Sequence, residues 1–311
     1  MVRRSTLLAV LALIALALPV QGQDLVWKFK KGDEFFVKSV TARTQSVQVD
    51  DKKIAYLNTA TTYCRFVVLS TDAKGTQLEQ TFERAELTSQ TPDDKNPDPK
   101  KPADPTTIGA QRYMSLLKGA ILTVTLSPTG AVQTLEGYED LIRKLTGNPN
   151  DKSAQDVLPK SALIEDLEEI FHVLPDKAVA KGDSWSRDPL KLSLGGWGAL
   201  TGKVVFTDEG KSEKGEKITV SRTLAYTPPT TALAGWKVSK ASVKFEPAAG
   251  TIVFDAATGR LVSQTSKIEF KGTFTLTIGE ADAKKTSTST VDQKTTREIT
   301  LVDKLPDEEK K

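Results

Sequence analysis

Cysteine and histidine are almost missing from this sequence: Cys64 and His172 are the only ones in 311 residues. A lone cysteine excludes an intramolecular disulfide, so a buried core must hold the fold, and the length is ample for one. One histidine and one cysteine cannot build a zinc site of the usual ligand types. No Asp-x-Asp-x-Asp-Gly calcium loop occurs either. No metal and no cofactor is expected. A Ser-His-Asp arrangement would have to use His172, late in a predicted helix beside Val173 and Leu174. A histidine there ordinarily serves the helix dipole, so no catalytic residue is assigned. Neither charge is in excess: Lys and Arg total 43, Asp and Glu 40. That balance argues against nucleic acid and anionic membrane as partners. Apolar runs long enough to span a bilayer are absent.

What is present begins with an export pattern. Arg3 and Arg4 precede an uncharged apolar run over residues 7–18, and Pro19-Val20-Gln21-Gly22 follows. This order predicts a signal peptide over residues 1–22, with cleavage after Gly22 or, alternatively, after Ala17. No cysteine follows the run, so the expected product is not lipid-anchored and is periplasmic or extracellular.

The remainder reads as mainly β (α+β): two curved antiparallel meanders with two short helices between them. An N-terminal β unit is expected over residues 23–147, with strands around residues 35–49, 63–69 and 78–87. Turn residues Asp50-Asp51-Lys52 and Asp72-Ala73-Lys74-Gly75 separate them. Cys64, Phe66 and Val68 share one face at period two, which predicts a buried thiol. Residues 90–107 hold Pro92, Pro97, Pro99, Pro102 and Pro105 and read as an extended insertion outside the sheet. Residues 108–118 are a short mixed stretch. A hairpin follows, turning at Ser127-Pro128-Thr129-Gly130. A helix then carries Tyr138, Leu141, Ile142 and Leu145 at i, i+3, i+4 and i+7, closed by Gly147. Residues 148–175 form a connecting loop and a second helix with Leu163, Ile164, Leu167, Ile170 and Phe171 on one stripe. A C-terminal β unit is expected over residues 176–302, and a charged, disordered tail over 303–311. Ile268, Phe270, Phe274, Leu276 and Ile278 alternate with polar residues and make the clearest half-buried strand.

The two halves share an order of landmarks. Lys31-Gly32-Asp33 is echoed by Lys181-Gly182-Asp183, and Thr129-Gly130 by Thr258-Gly259. Gly119 is paired with Gly250 in the same scheme, and the proline-rich insertion accounts for the difference in spacing. This order predicts an internal duplication; chance recurrence of common turn words is the other reading.

Few motifs carry chemistry. Gly210-Lys211-Ser212 lacks the glycine and the strand-to-helix setting of a phosphate loop. Asp255-Ala256-Ala257-Thr258-Gly259 is a hairpin turn. Glu165, Asp166, Glu168 and Glu169 read as the solvated face of a helix, although paired carboxylates of that kind can hydrolyse glycosides. Gly195-Gly196-Trp197-Gly198 could present Trp197 as a stacking platform. Trp197, Phe270 and Phe274 are therefore the candidate ligand-binding residues.

Trp27-Lys28-Phe29-Lys30-Lys31-Gly32, Leu126-Ser127-Pro128-Thr129-Gly130, and Leu174-Pro175 followed by Gly182-Asp183-Ser184-Trp185 resemble a family of exported bacterial β-rich proteins of unknown function, frequent in planctomycete-type genomes. The resemblance implies no catalytic residues. At the level of fold the pattern is also similar to periplasmic lipid carriers of the half-barrel type. The expectation is a non-enzymatic binding or structural protein of the cell envelope, carrying an apolar ligand or engaging an envelope component. The alternative is a hydrolase of envelope polymers acting through carboxylates such as Glu165 or Asp183.

Overall fold

The computed structural model describes residues 22–49, 51–90, 105–194, 198–229, 236–278, 285–302 and 304–305. Three long strands open the fold, β1 (Glu34–Val49), β2 (Lys52–Asp72) and β3 (Gly75–Gln90). They are followed by α1 (Pro105–Leu117), β4 (Ile121–Leu126) and β5 (Val132–Glu136). Helices α2 (Tyr138–Thr146), α3 (Lys152–Val157) and α4 (Lys160–Phe171) lie mid-chain. The second half runs β6 (Ser184–Ser193), β7 (Ala199–Ser212), β8 (Gly215–Thr227), β9 (Trp236–Phe245), β10 (Ala248–Asp255), β11 (Arg260–Ile278) and β12 (Lys285–Val302).

The expected mainly β architecture is observed, and both meanders belong to one antiparallel sheet of twelve strands in the order β5-β4-β3-β2-β1-β12-β11-β10-β8-β7-β6. β9 pairs with the far half of β11 and β10 with its near half. Pro247 stands between β9 and β10, where its missing N–H interrupts what is otherwise one long strand. β12 is the seam, pairing β1 on one side and β11 on the other.

The sequence landmarks recur as repeated geometry. Gly32 and Gly182 have φ of 87° and 94°. The Asp33 carboxylate accepts from Lys30 N at 2.9 Å, and that of Asp183 from Ala180 N at 2.9 Å. Gly32 N and Val68 N bond Val68 O and Asp33 O, as Gly182 N and Asp208 N bond Asp208 O and Asp183 O. The strands that follow keep step: Phe35 faces Phe66 as Trp185 faces Phe206, and Leu78 faces Val124 as Ile218 faces Ile252. One expectation is corrected here. Gly250 pairs with Val220, the place that Leu122, opposite Gln80, takes in the first half; Gly119 is not its counterpart. The proline-rich segment does not account for the whole spacing difference either. From Asp33 to Val68 the chain takes ten residues more than from Asp183 to Asp208, through longer β1 and β2.

The sheet curls around α4, which reaches both of its edges. On the β5 side, the N–H of Val132 donates to Glu168 Oε1 at 3.3 Å. On the β6 side, Arg187 donates to the Glu168 carbonyl at 2.7 Å and Trp185 Nε1 to the Val173 carbonyl at 3.1 Å. Gly130, with φ of 87°, lets the β4–β5 turn lie against the helix end, because a Cβ there would sit 1.9 Å from the Phe171 carbonyl oxygen. Phe171 is the hub of the core. Its ring meets those of Trp27, Phe29, Phe35 and Phe66 at 5.4 to 6.5 Å in edge-to-face geometry.

Three expectations about elements are revised. Residues 105–107, read as part of the insertion, and 108–117, read as a mixed stretch, form α1. Residues 152–157, read as loop, form α3, capped by the Asp151 carboxylate on Ala154 N at 3.1 Å. β6 was not anticipated; Pro189 disguises it, and its place at the sheet edge tolerates the missing donor. Residues 91–104 lie outside the described residues.

Candidate functional site

A cavity of about 250 Å³ lies between the concave sheet face and the helices. Its floor is Val37, Ser39 and Thr41 on β1, Ala60, Thr62 and Cys64 on β2, Gln80 and Phe82 on β3, and Arg297 on β12. Its roof is Tyr113, Met114 and Leu117 of α1, Leu158, and Leu163, Asp166, Leu167 and Ile170 of α4. The floor follows from register: Val37 faces Cys64, Ser39 faces Thr62 and Thr41 faces Ala60, and directly opposed residues project to one face. The roof follows from period 3.6, which sets Leu163, Asp166, Leu167 and Ile170 on one side of α4.

The lining is apolar with a few polar atoms. Gln80 Nε2 donates to Cys64 Sγ at 3.3 Å, while Gln80 Oε1 and the Tyr113 hydroxyl are buried without a hydrogen-bond partner among the described residues. Burial pushes both the Cys64 thiol and the Tyr113 phenol up to about 12. Cys64 is thus a protonated, buried side chain, as its strand position predicted, and not a thiolate nucleophile.

Arginines mark the polar edge of the cavity. Arg297 donates to Asp166 and to Glu169 at 2.7 Å each, and to Ser39 Oγ at 3.1 Å. Glu169 is 7% exposed and also meets Arg222 at 3.3 Å. Burial alone would raise the Glu169 pKa, but Arg297, Arg222 and Arg187 outweigh it and hold the carboxylate below its ordinary value. Arg222 keeps Nε and Nη1 buried without a partner among the described residues. One rung beyond Thr41, Arg43 stands opposite Asn58 on β2 and Thr295 on β12. It is open to solvent, with no partner among the described residues. Desolvation by the surrounding sheet nevertheless lowers its pKa.

Phe270 and Phe274, singled out from sequence, are not among the cavity-lining residues. Phe270 and Phe274 are 4% and 1% exposed, in a second apolar cluster with Val238, Leu276 and Val291 at the far end of the sheet. Their rings pack on Phe245 and Tyr226. Trp197 lies outside the described residues. Asp183 is committed to its turn, and Glu165 is half-buried on α4. His172 caps α4 with Nδ1 3.9 Å from Glu168 Oε1, and burial and Arg187 lower its pKa. Arg43 and Arg297 were missed, because a concave-face arginine in a polar strand looks like any solvated one. The signal available was alternation: Val37, Ser39, Thr41 and Arg43 continue one face. Among the described residues, no group of three or more His, Cys, Asp or Glu side chains could hold a metal ion. No described helix is long and apolar enough to cross a membrane.

Residues 73–196 match the model of a family of unknown function, DUF6263. The match takes in the Leu126–Gly130 turn and the stretch from Leu174 to Trp185, two of the three stretches that carried the resemblance noted from sequence. It includes β3, α1 and α4, hence much of the cavity wall. No curated protein matches the chain. Among solved structures, the chain is similar to one described as lipid-protein interactions in lipovitellin, at 10% identity and a TM-score of 0.46. That alignment covers 90% of this chain and 26% of the other, so this chain spans about a quarter of that protein. It is also similar to the outer membrane protein AlkL in DMPC lipid bilayers (9% identity, 90% and 95% covered, TM-score 0.23). A third is the outer membrane protein OprG from Pseudomonas aeruginosa (8% identity, 92% and 100% covered, TM-score 0.21).

Proposed function

We propose that this chain is a non-enzymatic binding protein of the cell envelope that holds an apolar ligand between the curved sheet and α1 and α4, and that residues 1–22 direct its export. The observation that carries the reading is the 250 Å³ cavity itself, walled by Val37, Phe82, Met114, Leu163, Leu167 and Ile170. Well-packed interiors hold few voids larger than a water molecule. A persistent apolar space of this size loses dispersion contacts along its whole lining, a cost that an apolar occupant removes. Phe270 and Phe274, closed into their own cluster, support that far end as structure rather than as part of the ligand site. The polar points inside, Gln80 Oε1 and the Tyr113 hydroxyl, are sites for a bound water or a ligand hydroxyl.

The test is titration with N-phenyl-1-naphthylamine, a neutral apolar fluorophore. Saturable enhancement at one site per chain is expected, and Leu167→Trp should abolish it by filling the space. Thr62→Phe fills the same space from the sheet side and serves if the helix variant fails to fold. Absence of saturable binding, or binding indifferent to both filled variants, would overturn the reading.

A further inference from the structure

The cavity is larger than the ~150 Å³ void that holds a benzene, yet below the ~300 Å³ at which pockets begin to enclose a drug-sized ligand. A chain-like ligand that fills it must leave part of itself outside. The floor shows in which direction. Its inner end is shut by Phe35 and Phe66, stacked at 5.3 Å, and by Phe171, which meets both edge-to-face at 6.5 and 5.4 Å. Along β1 and β2 the opposed pairs then run from Val37 and Cys64, through Ser39 and Thr62, to Thr41 and Ala60. The next pair, beyond the lining, is Arg43 and Asn58.

The charges at this end are unequal in what they can still do. Arg297 faces the cavity, but Asp166, Glu169 and Ser39 already occupy it. Arg43 has no counter-charge among the described residues, and Thr295 beside it on β12 brings none. An apolar chamber with, one rung beyond its lining, a cation that has no counter-charge among the described residues matches a molecule with a hydrocarbon end and a negative head. Resting on the cavity reading above, we propose that the ligand is an anionic amphiphile, its chain end in the cavity and its carboxylate or phosphate head against Arg43 at the mouth. The lowered pKa of Arg43 agrees with this placement, because a charge inside a concavity is incompletely hydrated and gains more from a partner than one on an open surface.

Calorimetric titration of the whole exported chain with dodecanoate, dodecyl phosphate and 1-dodecanol, each below its aggregation threshold, tests the proposal. The two anions separate a carboxylate head from a phosphate head; the alcohol carries the same chain without charge. At low salt, at least one anion should bind about fivefold tighter than the alcohol, the worth of a partly solvated ion pair. The preference should shrink as salt is added. Arg43→Gln should bring the anion to the alcohol's affinity while leaving the alcohol unchanged, and Arg43→Lys should keep most of the preference. Equal binding of all three by the unaltered chain, or a preference that survives Arg43→Gln, would overturn the head-group assignment and leave the cavity reading standing. If the folded chain bound none of the three, the cavity reading itself would fall.

Discussion

Phe274 and Thr275 are neighbours on β11 with opposite fates. Phe274 is 1% exposed against Tyr226, and Thr275 projects to the other face. Phe274→Ala should cost roughly 3–5 kcal/mol, the transfer loss plus the cavity left behind. Thr275→Ala should stay within about 0.5 kcal/mol. Denaturant unfolding of the pair measures both, and equal small effects would contradict the half-buried strand. Glu169 is a second residue whose environment sets its behaviour. Its buried carboxylate serves Arg297 and Arg222, and its pKa is depressed in the fold. The sign follows: the ionised form is favoured by folding, so its contribution is fully present above the unfolded glutamate value near ~4.3 and is lost as pH falls through the lower folded value. Glu169→Gln leaves Arg222 without its carboxylate and Arg297 with Asp166 alone, and should cost about 3 kcal/mol at neutral pH. The cost should narrow in acid, where the unaltered chain loses the same interaction. Unfolding free energies of both chains between pH 7 and pH 2 would show the convergence; parallel curves would mean that Glu169 titrates normally. The burial of Phe274 was legible from alternation alone. The burial of Glu169 was not. On α4 it sits beside Glu165, Asp166 and Glu168, and only the sheet curling under that helix buries this one of the four acids.

Elements built on local chemistry were the most legible. The Gly32 and Gly182 turns, the Thr129-Gly130 hairpin and the Gly147 helix end depend on a positive φ that glycine alone adopts cheaply, and each stands where the sequence places it. α1 and α3 were not legible. α1 begins among prolines, where Pro105 can start a helix but not continue one. α3 is a six-residue turn that its Asp151 cap makes visible only in hindsight. The repeated turns also carry a prediction, because they are alike within themselves and unlike in their surroundings. Asp33 and Asp183 each hold one backbone N–H, but Asp33 also pairs with Arg260 at the start of β11, joining the two halves. Arg260 lies in turn over the rings of Phe29 and Phe35 at 5.2 and 5.0 Å. Asp183→Ala should therefore cost about 1 kcal/mol, one turn hydrogen bond. Asp33→Ala should cost about 2 kcal/mol, because a partly buried guanidinium loses its carboxylate as well. Adding Arg260→Ala should cost less on the Asp33→Ala background, where only its ring contacts remain to be lost, than on the Asp183→Ala background, where the Asp33 pair is lost as well. A double-mutant cycle reads that difference, and additive effects in both backgrounds would deny the cross-half link.

At the scale of the whole molecule, the two meanders touch through side chains such as Asp33 and Arg260 but do not pair strand to strand; β12 stands between β1 and β11. Its residues pair with β1 from Ser289 to Val302 and with β11 from Lys285 to Thr300. No local signal in the sequence marks this seam, because β1 and β12 are separated by nearly the whole chain and each alternates like any other strand. Register alone decides it: Ile299 opposes Ser39 and Gln264, and Arg297 opposes Thr41 and Ser266. That register delivers Arg297 to the cavity and brings Thr295 beside Arg43. Seam and site are thus one construction, and removing β12 should dismantle both. A chain ending at residue 284 would bare the full length of β1 and of β11, two long unpaired edges of the kind that recruit other strands. It would also leave Glu169 and Asp166 without Arg297. The expected outcome is loss of the cooperative unfolding transition and self-association in size-exclusion chromatography, rather than a monomer with one strand fewer. Supplying residues 285–302 as a separate peptide should restore part of the monomer population, since the vacated slot has hydrogen-bonding edges on both sides. A truncated chain that stayed monomeric and unfolded cooperatively without the peptide would show that the halves close on each other unaided. In that case the position of Arg43 at a cavity mouth would be set by β1 and β2 alone.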